Sequence, residues 1–509
     1  MSAYQNRGAN DQDRSNPHRP IFHFVAPGGS ANPFDPNGAI EWNGLYHLGF
    51  IDQRQAGDEV QHVWGHAVST DLLHWRLLPD MLSVGPEDDE NGIFSGAAFV
   101  SKEGVPHLIY HAWGAQANRI ARAADKDLSA WVKLRGRTTL TESDPGDPKT
   151  LNCCHPPKGR YSVFDPHAWY DENSDSYVQI TGGMKPAIFT SPDMNDWTYV
   201  GDLIPPERRR HHWYEDLSCP TLLFVADKAI LVFISHEHGA QYYIGTFANG
   251  RFVPETHGRM NWPGGSTFAA EHLTDSNGRN ILWAWLAGGV EKQGASNREA
   301  LGILSLPRVL SVGPCGELFT EPAAELDSLR LDGREEQELK LHPNTDVTLA
   351  AAGSTLELQV EFRGGGRSPY GLKLFASPDG REETIVRYEP KAQELVIDFE
   401  RSNAGGAVSA ATFRPDGYDF SQSPFDAKFW TRRVSQQRAP LVLAAGESLC
   451  LRVYLDRSVI EIFANGRQAM TQRAFPELPE SVGIRVFSGE EPVAVGKIRS
   501  WQMAATDAQ

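Results

Sequence analysis

Three short segments set a carboxylate among turn-forming and aromatic neighbours in a way that suits hydrolytic chemistry. In Asn32-Pro33-Phe34-Asp35-Pro36-Asn37-Gly38, Asp35 lies in a Pro- and Gly-rich turn just ahead of a strand-like run. In Phe164-Asp165-Pro166-His167-Ala168-Trp169, Asp165 again opens a strand. In Trp213-Tyr214-Glu215-Asp216-Leu217-Ser218-Cys219-Pro220, a pair of carboxylates stands among aromatics. Singly, each is an ordinary turn. Together they supply what cleavage of a glycosidic bond needs, one carboxylate to attack or activate water and another to protonate the leaving oxygen. A third can hold sugar hydroxyls and favour the cationic transition state. Trp213 and Tyr214 would raise the pKa of an adjacent acid by excluding water from it.

The elements that must position these groups are strands. From Pro20 to about Leu326 the chain alternates short aromatic and β-branched runs, such as Leu45–Phe50, Gly96–Val100, His107–His111, Tyr177–Thr181, Ala229–Ser235 and Asn280–Leu286, with clusters of Gly, Pro, Asn and Asp. No sustained helical period appears, so the class is all-β. A weak repeat runs through this part. Asp71-Leu72, Asp127-Leu128 and Asp193-Met194 each precede a Trp (Trp75, Trp131, Trp197) by the same spacing. Units of this kind, each of several short strands, signal propeller blades, and the length leaves room for five. The repeat reads as the turn that closes each blade. Propellers gather their blade-entry loops at one end of the central channel, which would bring the three acidic segments together.

Beyond a polar connector expected over 329–345, runs such as Thr355–Phe362, Gly371–Phe375, Glu394–Phe399, Ser448–Leu455 and Val459–Ala464 alternate apolar and polar residues, as half-buried antiparallel strands do. The expected organisation is a polar tail over 1–20, a five-bladed β-propeller over 21–328, the connector, and a C-terminal β-sandwich over 346–509.

A net charge of −17 argues against a nucleic-acid partner. It fits a neutral small-molecule carbohydrate. The five cysteines (Cys153, Cys154, Cys219, Cys315, Cys450) follow neither a disulfide framework nor a zinc spacing and are expected as free thiols. Met1 to Pro20 carries no apolar stretch of signal-peptide length, and no run is long enough to span a membrane. The expected location is the cytoplasm, with no membrane partner; homo-oligomerisation is left open.

The motifs also resemble glycoside hydrolase family 32, the invertase, levanase and inulinase family. Phe34 to Gly38 is similar to its Asn-Asp-Pro-Asn-Gly opening. Trp64-Gly65-His66-Ala67-Val68-Ser69 is similar to its first-blade signature, Phe94-Ser95-Gly96-Ala97 to its Phe-Ser-Gly-Ser block, and Phe164-Asp165-Pro166 to its Arg-Asp-Pro. Glu215 with Cys219-Pro220 resembles a stretched Glu-Cys-Pro. Ile281-Leu282-Trp283-Ala284-Trp285, Leu304-Ser305-Leu306-Pro307-Arg308 and Leu455-Asp456-Arg457-Ser458 match later blocks. The resemblance implies a retaining β-fructofuranosidase acting on sucrose or short fructo-oligosaccharides through a fructosyl-enzyme. Asp35 would be the nucleophile, Glu215 the acid/base and Asp165 the transition-state stabiliser. Phe34, Asn37, Gln53, Trp64, Phe94, Ser95, Phe164 and Trp283 would meet the sugar. No metal or organic cofactor is required.

Departures from the pattern leave rivals open. Phe34 and Phe164 stand where the family has Asn and Arg, Gln53 is displaced, and three residues separate Glu215 from Cys219. Asp216 and, more distantly, Glu237 are therefore alternatives to Glu215. A fructosyltransferase, an impaired sugar-binding protein and an inverting arabinosidase are the alternative functions. The basic run Arg208-Arg209-Arg210-His211-His212 is either a solvated loop or a holder for a sugar phosphate.

Overall fold

The computed structural model describes residues 16–506 apart from 32, 58, 135–138, 142–158, 213–214, 288–290, 293–300, 365 and 412–432. Cys153, Cys154, Trp213 and Tyr214, and most of the expected tail, lie outside the described residues. Strands dominate what is described, and the two helical turns are short 3-10 segments, Pro206–Arg208 and Ala324–Leu329.

Five antiparallel sheets follow one another along the chain. Their innermost strands are Pro36–Trp42, Gly92–Val100, His167–Asp171, Ser218–Val225 and Thr267–Thr274, and each sheet runs outward from that strand. The innermost strands pack in sequence around a ring, and the fifth closes on the first. This is the five-bladed β-propeller. Its buried residues are the apolar members of the expected runs, among them Leu48, Phe50, Ile109, Val178, Leu231 and Leu282.

The repeated Asp-Leu/Met turn joins the third and fourth strands of the first three blades. Leu72, Leu128 and Met194 all take a left-handed backbone, at φ 68°, 52° and 67°. An L-residue pays about 1–2 kcal/mol for that conformation. Asp71 offsets it by accepting the N–H groups of Leu73 and His74, and Asp193 by accepting those of Asn195 and Asp196. In the second blade Asp125 does this for Asp127 and Ser129.

Most of the remaining chain forms two facing sheets of seven and six strands, with Leu358, Val360, Leu372, Val386, Val453, Ile462 and Ile484 between them. The expected connector is a correction. Arg330–Glu336 and Leu339–Leu341 are strands that pair with the C-terminal strand Val493–Met503. Arg330–Glu336 is an edge strand with mostly exposed, charged side chains, the usual protection against edge-to-edge pairing, so it reads as a polar linker.

A wholly buried ionic network binds the two domains. Asp456 of the sandwich accepts the N–H groups of Ile21, Phe22 and His23 and the Nδ1 of His23 at 2.8 Å. Glu461 meets the other ring nitrogen of His23 at 3.2 Å and accepts Leu306 N–H at 2.8 Å and Arg308 Nη2 at 2.6 Å. Burial opposes charge on His23, but its bonds to Asp456 and Glu461 outweigh burial and raise it to about 9. Burial likewise opposes ionisation of Glu461, yet Arg308 and His23 hold it near 2.

The raised His23 contributes stability that is complete below its ordinary 6.5 and is lost as pH climbs through about 9. The melting temperature should therefore fall between those values. His23→Gln should melt lower at pH 6 and lose that part of the slope; an unchanged slope would remove His23 as its source. Glu461→Gln, which leaves Arg308 unpaired, should cost about 3–5 kcal/mol.

Candidate active site

The starts of the innermost strands meet on the propeller axis. A small cavity there is lined by residues of four of them, including Asn37, Ser95, Cys219 and Glu271, and by Asp165 just ahead of the third. Four of the five strands break register near their starts, at Asn37/Ile40, Ile93/Gly96, Ser218/Thr221 and Thr267/Ala270. Bulges of this kind bend a strand and re-aim its side chains. In the remaining blade Asp165 itself takes φ 39°, and in the fourth blade Cys219 takes φ 45°. Backbone strain in non-glycine residues is thus present at the axis.

Asp35 and Asp165 converge on Cys219. Its Sγ lies 3.7 Å from Asp35 Oδ2 and 3.4 Å from Asp165 Oδ2, and its N–H donates to Asp165 Oδ2 at 2.9 Å. Ser95 Oγ donates to Asp35 Oδ2 at 2.7 Å, while Asp35 Oδ1 is buried with no partner among the described residues. Asn37 braces the turn, donating to the Asp35 carbonyl and accepting Gly96 N–H at 2.9 Å. Glycine is required at 96, because a Cβ there would lie 2.0 Å from the Ile109 carbonyl oxygen. Burial raises the Asp35 carboxyl. Burial first, and then the Asp35 charge, raise Asp165 to about 7 against the opposing Cys219 bonds.

Glu215 is held by groups of the fourth blade. Both of its oxygens are engaged, Oε2 by Ser235 and Gln241 and Oε1 by His212 N–H and Arg259. Burial alone would raise its pKa; His238, Arg259 and the Ser235 and Gln241 bonds outweigh burial and hold it near 2. His238 is itself lowered to about 4, so at neutral pH the cation is Arg259. A buried, fully paired, ionised carboxylate is the reverse of the raised acid expected for this residue. The neighbouring Asp216 binds His236 instead, through both the backbone N–H and Nδ1. Glu237 is buried with Oε2 unpartnered among the described residues, and burial and the Asp216 charge push its carboxyl up.

The expected sugar-facing aromatics need correction. Phe34 is completely buried, set against Phe24 and Phe50, and a Cβ on Gly302 would lie 2.8 Å from its ring. Trp64 is also fully buried, donating to the Phe94 carbonyl and packing edge-on to Tyr110. Trp283 packs on Trp75 in the core between the fifth and first blades. Phe164 is turned onto His111, with ring centroids 4.6 Å apart. In each case the ring finds more area to bury among packed neighbours than at a wet cleft. Gln53 donates to the Pro33 carbonyl and so holds the Asp35 turn. Phe94 alone of the aromatics is half-exposed, beside Trp113 and His62. In the basic run, His211 binds Tyr243 Oη, and Arg209 is half-buried within electrostatic reach of Glu215.

Residues 23–322 match the glycosyl hydrolases family 32 N-terminal domain, and residues 325–502 match the family 32 C-terminal domain. The chain belongs to glycosyl hydrolase family 32. It is a glycosidase by that membership. A sucrose-6-phosphate hydrolase of Escherichia coli is 24% identical over 96% of this chain and 96% of its own. A levanase of Bacillus subtilis is 25% identical over 94% of this chain and 69% of its own. The fold is shared with fructan 1-exohydrolase IIa from Cichorium intybus, at a TM-score of 0.73 and 22% identity over 97% and 98% of the two chains.

The buried setting of Phe34 predicts that Phe34→Asn, although it restores the residue usual in family 32, destabilises the protein by about 3–5 kcal/mol. Denaturant unfolding checks this. Unchanged stability with a lowered KM would instead put position 34 at the sugar.

Proposed function

We propose that this family 32 glycosidase hydrolyses β-fructofuranosides, sucrose or short fructo-oligosaccharides, by retaining double displacement. The observation that carries the reading is the Asp35–Asp165 pair on Cys219, with Asp35 Oδ1 unpaired. Ser95 orients Asp35 through Oδ2, which leaves Oδ1 to attack the anomeric carbon and form a fructosyl-enzyme. Asp165 faces the same point and stabilises the oxocarbenium-like transition state while it holds sugar hydroxyls. Water then attacks the same carbon from the face the leaving group vacated, and the configuration is retained. The names of the relatives, sucrose-6-phosphate hydrolase and levanase, support a β-fructoside as substrate.

The test is fructose release from sucrose, sucrose-6-phosphate, 1-kestose, inulin and levan. The wild-type enzyme should release fructose, fastest from the short substrates. Asp35→Asn should lower the rate on the order of 10³-fold or more. Undiminished release by Asp35→Asn would contradict the assignment.

A further inference from the structure

We propose, resting on the reading of Asp35 given above, that Glu271 is a positioning residue for that carboxylate: it reaches across the seam between the fifth and first blades and holds the bulge that follows the Asp35 turn. Glu271 lines the axial cavity together with Asn37, Ser95, Asp165 and Cys219, and is 4% exposed. Double displacement on Asp35 gives this fourth-wall carboxyl no chemical task of its own.

Strand alternation sends neighbouring side chains to opposite faces of a sheet, and in a propeller those faces meet the two adjoining blades. His272 points to the fourth blade, where its Nδ1 shares a hydrogen bond with Thr221 Oγ1. Glu271 points the other way, to the first blade, and its carboxyl accepts the N–H of Ala39 there as well as that of His272.

The bulge makes Ala39 available for this contact. Gly38 and Ala39 together stand opposite Leu48, so one residue too many faces the partner strand and drops out of the ladder. Gly38 is fixed on the opposite side. Its φ is 56°, and a Cβ there would lie 3.0 Å from the Trp64 ring and 3.2 Å from Leu108 of the second blade. Asn37 takes Gly96 N–H from the second blade and donates to the Asp35 carbonyl. The strand that carries Asp35 is thus gripped from the second blade through Asn37 and Gly38, and from the fifth through Glu271.

A carboxyl suits this place as a neutral group. Burial pushes it well above the ordinary carboxylate range, against the two bonds it accepts. At neutral pH it therefore adds no further charge to the cavity that holds Asp165. What holds the bulge is an acceptor oxygen, which an amide would also supply.

The test compares Glu271→Met, which keeps the side-chain length and accepts no hydrogen bond, with Glu271→Gln. A nucleophile displaced by about 1 Å loses on the order of 10²-fold, so Glu271→Met should lower kcat on sucrose about 10–10²-fold with KM changed less than about threefold. β-Fructofuranosyl fluoride, whose leaving group needs no proton, should show an equal loss, because attack by Asp35 is common to both substrates. Glu271→Gln should recover most of that loss. Thr221→Val, which releases the same strand from the fourth blade, should show the pattern more weakly and serves should Glu271→Met fail to fold. A kcat within about twofold of the wild type in a folded Glu271→Met would overturn the proposal. So would a loss confined to sucrose, or one as deep in Glu271→Gln as in Glu271→Met. In those cases an inactive Asp35→Asn would leave the fructosidase reading standing. A wild-type enzyme inactive on both substrates would overturn that reading together with this one.

Discussion

Asp456, a fully buried carboxylate of the sandwich, takes the N–H groups of Ile21, Phe22 and His23 and the His23 ring. Hydrogen bonds to a charged acceptor contribute about 1.5–3 kcal/mol each, and a buried charge left without them is costly. The consequence reaches the axial cavity of the propeller. From His23 the chain enters Val25–Ser30, which pairs with Leu301–Ile303, then seats Phe34 between Phe24 and Phe50, and arrives at Asp35. The Asp35 turn is thus suspended between a salt-bridged anchor in one domain and a core position in the other. Glu461 and Arg308 tie the fifth blade to the same anchor.

At the axis the governing quantity is desolvation. Asp35 and Asp165 are both nearly inaccessible to water, and both carboxyls are raised by burial. Ser95 and the Cys219 amide give each carboxylate one firm bond. Leaving Asp35 Oδ1 without a partner among the described residues is a cost in stability, and the proposed attack on the anomeric carbon would give that oxygen one. Four register breaks and the left-handed backbones of Asp165 and Cys219 hold these groups at the ring's centre. Strain of this sort persists only where the surrounding sheets over-determine it.

The fold was largely legible in the sequence, because its signals are local. Alternation marked the strands, and the Asp-Leu/Met turn marked three blades, since only a side chain that caps its own turn makes the left-handed residue tolerable. The edge strand Arg330–Glu336 was not legible, because one-sided pairing lets every other requirement of a strand lapse. The site was legible in part. Asp35 and Asp165 announce themselves by Asp-Pro turns at strand entrances. Phe34, Trp64, Trp283 and Phe164 mislead, because an aromatic residue beside a motif reads the same whether its ring faces a sugar or the next blade. The Asp216–His236 contact left no local signal, since Asp216 precedes the first strand of the fourth blade and His236 follows the second, and the two meet only when the sheet forms.

The most direct measurement of the central claim, a covalent step on Asp35, is rapid acid quench of the enzyme during turnover, followed by peptide mass analysis and by NMR of products formed in the presence of methanol. Double displacement predicts one added hexosyl group on the peptide containing Asp35, and methyl β-fructofuranoside as the methanolysis product. An unmodified Asp35 peptide together with the α-anomer would contradict it.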